Sequence, residues 1–363
     1  MPDVIAHHGL LKDTRLHIDD TGGTGRPVLL MHPWPLSGQA WSAQVPVLHA
    51  AGYRVITYDR RGFGRSDKPL TGYSYESLTR DLHTLIECLD LRGLTLVGSS
   101  MGGGEIARYL STYGADRVHS VVFASSVTPY LLQTTANPDG PLSMRDAAHA
   151  TAEFVKDQDA FYDQQMTEFF TANGQLRVSG ATREAALGLC KQASKEASMA
   201  CMAAWANTDF RDDLARVSVP TLIIHGEGDE SVPLHGSARR THEAIPGSEL
   251  RVIADGPHGC HISHPDEFNA ALLDFLAHWL GRVSPRATGE PLPEGNELQG
   301  RKACSKIRDT SPNPTSNPKR TKPGRVPPPA TKMARTSERP APMTISMPAK
   351  PGRKREANKT DSA

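Results

Sequence analysis

LTLVGSSMGGGEIARY, residues 94–109, passes from an apolar run through a glycine-rich turn into a helical pattern. Residues 94–97 read as a buried strand, and Ile106, Tyr109 and Leu110 follow at helical spacing. Between them, Gly98-Ser99-Ser100-Met101-Gly102 is a G-x-S-x-G sequence placed where strand gives way to helix. In that context the central serine sits on a sharp turn at strained backbone angles, with its hydroxyl exposed. The glycines two residues away on each side leave room for neighbouring chain. Of the two adjacent serines, only Ser100 has glycine at both offsets. A bare G-x-S-x-G also occurs in ordinary loops, but the strand before, the helix after and the extra Gly103 favour the strained turn. The N–H of Met101 then opens the helix and points at negative charge developing on a reacting carbonyl.

Outward from this turn, residues 28–31, 54–57 and 118–123 also read as buried strands bounded by Gly, Pro or Asp. Leu78, Leu82, Leu85, Ile86 and Leu89 place a helix over residues 75–91. Strands alternating with helices imply parallel strands joined by crossover helices. The alternation stops near Thr128. Residues 128–212, rich in Ala, Met, Gln and charge, show no convincing strand and read as a mostly helical insertion. Strands return at 221–224 and 250–253, and an amphipathic helix closes at 264–280. The spacing therefore predicts an α/β fold with a mostly parallel central sheet flanked by helices. Its core is expected at 1–127 and 213–281, interrupted by a helical cap at 128–212.

A serine hydroxyl is a weak nucleophile and needs a base, itself oriented by a carboxylate. After such a turn the chain order is Ser, then acid, then His. With fifteen histidines in the chain, position decides the base. His258, in Asp255-Gly256-Pro257-His258-Gly259, follows the last strand and opens on the same sheet edge as Ser100. His261 and His264 are expected at the surface or capping a helix, and His225, ending a strand, is expected to be structural. For the acid, Asp229 in the loop after strand 221–224 is preferred, with Glu227, Glu230 and Asp255 as rivals. A second N–H facing the carbonyl should come from the loop after strand 28–31, which reads His32-Pro33-Trp34-Pro35. Proline has no amide hydrogen, so within 33–35 only Trp34 can donate.

With these residues in view, the chain resembles the cofactor-free bacterial haloperoxidases, also called perhydrolases or non-haem chloroperoxidases, within the α/β-hydrolases. The resemblance covers about residues 10–281. It rests on HPWPLSG (32–38), AGYRVITYDRRGFGRSD (51–67), LTLVGSSMGGGEIARY (94–109), TDFRDDL (208–214), PTLIIHGEGDESVP (220–233), THEAIPGS (241–248) and GPHG (256–259). It implies a catalytic triad of Ser100, Asp229 and His258, an oxyanion hole from the Trp34 and Met101 amides, and neither metal nor cofactor. It also implies ester hydrolysis through an acyl-enzyme. If hydrogen peroxide replaces water, the product is a peracid that oxidises halide, and Pro35 matches members with that activity. The implied partners are a small ester or carboxylic acid, with peroxide and halide. The chain departs from the family at Pro33, where Gly is usual, and at Ser99, where Phe or His is usual. Ser100 argues against relatives that use Asp as nucleophile. A ligand receptor on a hydrolase scaffold is the alternative from another class.

The formal net charge of +1 hides an asymmetry. Residues 282–363 hold 18 Lys+Arg against 7 Asp+Glu, leaving the first 281 residues at a net −10. That tail has 14 of the 28 prolines and no Phe, Trp or Tyr. It cannot bury enough apolar area to offset chain entropy, so disorder is expected there. Nucleic acid is disfavoured as a partner, the basic tail being its sole candidate site. The five scattered cysteines show no C-x-x-C pairing and fit a reducing compartment. Residues 1–13 lack a signal-peptide pattern, and no apolar run reaches membrane-spanning length. The expectation is a cytoplasmic protein without membrane partner; a homo-oligomer is left open.

Overall fold

A computed structural model describes residues 3–8 and 11–279, so the basic tail at 282–363 lies outside the described residues. The strands are β1 (Val4–His8), β2 (Leu11–Leu16), β3 (Ile18–Asp20), β4 (Pro27–Met31), β5 (Arg54–Tyr58), β6 (Leu94–Ser99), β7 (Val118–Ala124), β8 (Thr171–Ala172), β9 (Gln175–Leu176), β10 (Thr221–Gly226) and β11 (Glu249–Ile253). The helices are α1 (Val45–Ala50), α2 (Tyr75–Cys88), α3 (Met101–Tyr113), α4 (Met144–Lys156), α5 (Gln158–Phe169), α6 (Gly180–Cys190), α7 (Lys195–Asn207), α8 (Arg211–Leu214), α9 (Ala238–Ala244), α10 (Cys260–Ser263) and α11 (Pro265–His278).

Seven strands form the central sheet in the order β11-β10-β7-β6-β4-β5-β3. All pairs are parallel except β3 with β5. Because both faces are covered, the inner strands read as continuous apolar runs rather than alternating ones. Within them successive side chains still part to opposite faces. Leu29, Met31, Leu96, Val121 and Phe123 pack into the core that holds α2 and α3. Val28, Leu30, Val97, Val122, Leu222 and Ile224 meet Trp41 and the Phe268, Leu272, Phe275 and Leu276 stripe of α11.

The antiparallel edge and the β1–β2 hairpin lie outside the sequence expectation. Among the described side chains of that hairpin, Val4, Ala6, Thr14 and Leu16 turn inward, a short alternation broken by charged residues. The insertion carries α4 to α7, each begun by a capping side chain. Ser143, Asp157, Ser179 and Ser194 accept from the N–H groups of Asp146, Ala160, Thr182 and Ala197 respectively. Two non-helical features accompany the helices of this mostly helical segment. Residues 128–142 form a loop held by Asn137, and β8–β9 make a small hairpin around Asn173-Gly174. Both turn residues have positive φ, 53° and 71°, which is the Asn-Gly hairpin preference. Among the described residues no helix is long and apolar enough to cross a membrane.

Candidate active site

Parallel strands bring their C-terminal ends to one edge, and each sequence-predicted site residue follows such an end. Ser100, directly after β6, has φ 54° and ψ −114°, an outlier for a residue with a side chain. Its N–H donates to Ala124 O at 2.8 Å, which ties the turn to β7. The flanking glycines are required by contact. A Cβ on Gly98 would lie 2.4 Å from the Gly102 backbone, and one on Gly102 would lie 2.9 Å from Met31 O. Met101 begins α3, so its N–H belongs to the first turn, whose donors have no partner within the helix.

His258 Nε2 lies 2.9 Å from Ser100 Oγ, and His258 Nδ1 lies 2.7 Å from Asp229 Oδ2. The carboxylate can only accept, so Nδ1 carries the hydrogen and Nε2 is left to take the serine proton. The other carboxylate oxygen of Asp229 accepts the Val232 N–H at 2.7 Å. Burial alone would raise the Asp229 carboxyl, but His258 and His225 outweigh it and hold it well below the usual carboxylate range. Phe169 from the insertion stands edge-on to His258 with centroids 5.3 Å apart, and Phe169 O accepts the Gly259 N–H at 2.8 Å. Of the rival acids, Glu227 and Glu230 are exposed. Asp255 faces outward to Asn173 and Arg177.

Trp34 follows β4. Its indole is buried and donates to Ser198 O in α7 at 3.0 Å. Phe161, Tyr162 and Trp205 surround it at 5.9–6.4 Å. Phe154 is buried against Phe161 and Tyr162 within the insertion, whereas Phe169 and Phe170 pack against Gly259 of the His258 loop. Beneath the loop lies a polar cluster that the sequence did not single out. Arg60 N–H donates to His32 Nε2 at 3.0 Å, which leaves Nδ1 to donate to Pro33 O at 2.9 Å. Burial, reinforced by Arg60, pushes His32 well below the usual histidine range, so the ring is neutral. Arg60 in turn pairs with Glu105 of α3 at 2.5 Å, and Tyr58 OH donates to the same carboxylate at 2.7 Å. Distance in sequence hid this cluster: its members lie on three separate elements.

His264 sits at the start of α11 against Ser263, but His261 is not at the surface. It is buried against Trp41 and Phe268, because the short helix α10 turns it into the core. Burial, with His258 nearby, pushes His261 down to about 3. Its folded pKa lies below that of the unfolded chain, so unfolding takes up a proton between about pH 3 and 6.5. The stability from keeping it neutral is complete above pH 6.5 and is lost as pH falls. Urea unfolding is therefore expected to lose about 1 kcal/mol through this residue between pH 7 and 5.5. His261→Gln should show a shallower decline over that range, and an unchanged decline would refute the assignment.

A family model for the alpha/beta hydrolase fold matches residues 26–265. A non-heme chloroperoxidase from Kitasatospora aureofaciens is 37% identical over 258 residues, covering 70% of this chain and 93% of that protein. A bifunctional esterase/perhydrolase from Acinetobacter calcoaceticus is 32% identical over 266 residues, covering 71% and 94%. Among solved structures, a bromoperoxidase from Bacillus anthracis superposes with a TM-score of 0.73 at 46% identity, covering 76% of this chain and 99% of that one.

Proposed function

The chain belongs to the α/β-hydrolase family, and from that premise we infer that it is a serine hydrolase of carboxylic esters with perhydrolase and haloperoxidase activity. The observation that carries this reading is a buried imidazole bridging Ser100 and Asp229 at 2.9 and 2.7 Å. Relatives named as chloroperoxidase and as esterase/perhydrolase support the substrate class of small esters, with peroxide and halide. A receptor with vestigial turnover is not favoured, since these relatives carry the names of enzymes.

In this reading Ser100 Oγ attacks the ester carbonyl while His258 Nε2 takes its proton, and Asp229 stabilises the imidazolium that forms. The oxyanion is received by the Met101 N–H at the head of α3 and by the Trp34 N–H. His258 then returns the proton to the departing alkoxide, leaving Ser100 acylated. Water attacks the acyl-enzyme to release a carboxylic acid. Hydrogen peroxide attacking the same carbonyl releases a peracid, which oxidises bromide or chloride in solution. The clamp of His32 on Pro33 O supports the loop that carries Trp34. Aromatic rings of Trp34, Phe161 and Trp205 would form an apolar wall for the acyl or alcohol group.

A serine-reactive phosphonate is expected to label Ser100 in intact protein, located by mass spectrometry of the digest. An ester panel assayed with and without peroxide should show hydrolysis in both cases and peracid only with peroxide. An adduct elsewhere, or no ester turnover, would sink the reading.

A further inference from the structure

His225 is the penultimate residue of β10 with its ring fully buried, and it has no part in the proton relay described above. Its Nε2 lies 2.8 Å from Val232 O and 3.1 Å from Asp229 Oδ2. Both neighbours are acceptors, so Nε2 carries the hydrogen, which it donates to Val232 O, with Asp229 Oδ2 close beside that bond. Oδ2 is also the oxygen that faces His258 Nδ1 at 2.7 Å. The carboxylate thus stands between two imidazoles on one oxygen. The remaining nitrogen, His225 Nδ1, is buried and has no hydrogen-bond partner among the described residues.

We propose that His225 is a positioning residue for the hydrolytic relay, its Nε2–H edge anchored on Val232 O and set 3.1 Å from Asp229 Oδ2, where it lowers the basicity of the Asp229–His258 pair. The proposal rests on the serine-hydrolase reading of Ser100 and His258. A donor N–H aimed at the pair stabilises its anionic form over the form with one more proton. An effect on the pair shows in the acidic limb of the rate profile. Two other titratable groups face the pair from α10. Burial pushes the Cys260 thiol up to about 12 and the His261 ring down to about 3, so neither changes charge near neutrality.

His225→Met removes the donor at similar bulk, and His225→Gln keeps an N–H able to reach the same oxygen. The Met variant is expected to lose about tenfold in kcat for an aryl acetate with KM within about twofold. Its acidic limb should move up by about half a pH unit, and the Gln variant should lie nearer to wild type in both respects. Full phosphonate labelling of Ser100 in each variant shows that the site is assembled. It also separates this proposal from its premise, because unlabelled wild-type protein would overturn the premise instead. A fully labelled Met variant with an unmoved acidic limb, or a Gln variant no closer to wild type than Met, would overturn the role of His225. Nitrogen-15 NMR of histidine-labelled wild-type protein tests the same donor without a substitution. His225 protonated on Nε2 is expected, and the Nδ1–H tautomer would overturn the proposal.

Discussion

Ser100→Ala is expected to lower kcat for an aryl acetate by about 10⁴- to 10⁶-fold, with KM little changed and with no further loss when His258→Ala is added. The non-additivity is the informative part. Once the hydroxyl is gone, an imidazole 2.9 Å away has no proton to accept. The residual rate then comes from substrate binding and from N–H groups facing the carbonyl, which neither substitution touches. Single and double variants should therefore converge on one low rate. If they multiply instead, the two residues do not act as a unit and the relay is wrong. Folding is not expected to confound the test. Ser100 Oγ contributes little to packing, and the turn is shaped by Gly98, Gly102 and the Ser100 N–H to Ala124 O.

Glu105→Leu is expected to destabilise the fold by about 3–5 kcal/mol, through the charge it strands rather than the bond it removes. Arg60 and Glu105 side chains are 1% and 0% exposed, and a guanidinium cannot shed its proton to escape burial. Tyr58 OH would lose its acceptor at the same time. The double variant Arg60→Met, Glu105→Leu should regain much of the loss, since replacing both partners by apolar groups is often nearly neutral. Urea unfolding of the two variants distinguishes these outcomes, and a single variant as stable as the double would refute the stranded-charge account. Activity should not recover in parallel. Arg60 also donates to His32 O at 2.9 Å, so its removal frees the loop that carries Trp34.

These effects differ in how they can be read from residues alone. The strained serine turn is legible because its causes are local. Gly98 and Gly102 must lack side chains wherever strand passes into helix this tightly, and both lie within two residues of Ser100. The inner strands are legible because a parallel sheet covered on both faces writes each strand as an unbroken apolar run. By contrast, β3 buries only Ile18, and β8–β9 contribute two residues each, too little pattern to separate from loop. His261 departs from expectation for a related reason: a histidine's spacing says nothing of which way a four-residue helix such as α10 will turn it.

The G-x-S-x-G turn, the alternation of strands and helices, and the order Ser100, Asp229, His258 belong to the sequence itself, since each depends on neighbours along the chain or on their succession. What converges on them belongs to tertiary structure alone. His225 on the carboxylate, Phe169 against His258, and the His32–Arg60–Glu105 cluster under the Trp34 loop all depend on how separate segments meet. Periodicity and turn chemistry report which face a side chain takes. They do not report what it meets there, because a contact across elements is set by the packing of the whole sheet edge.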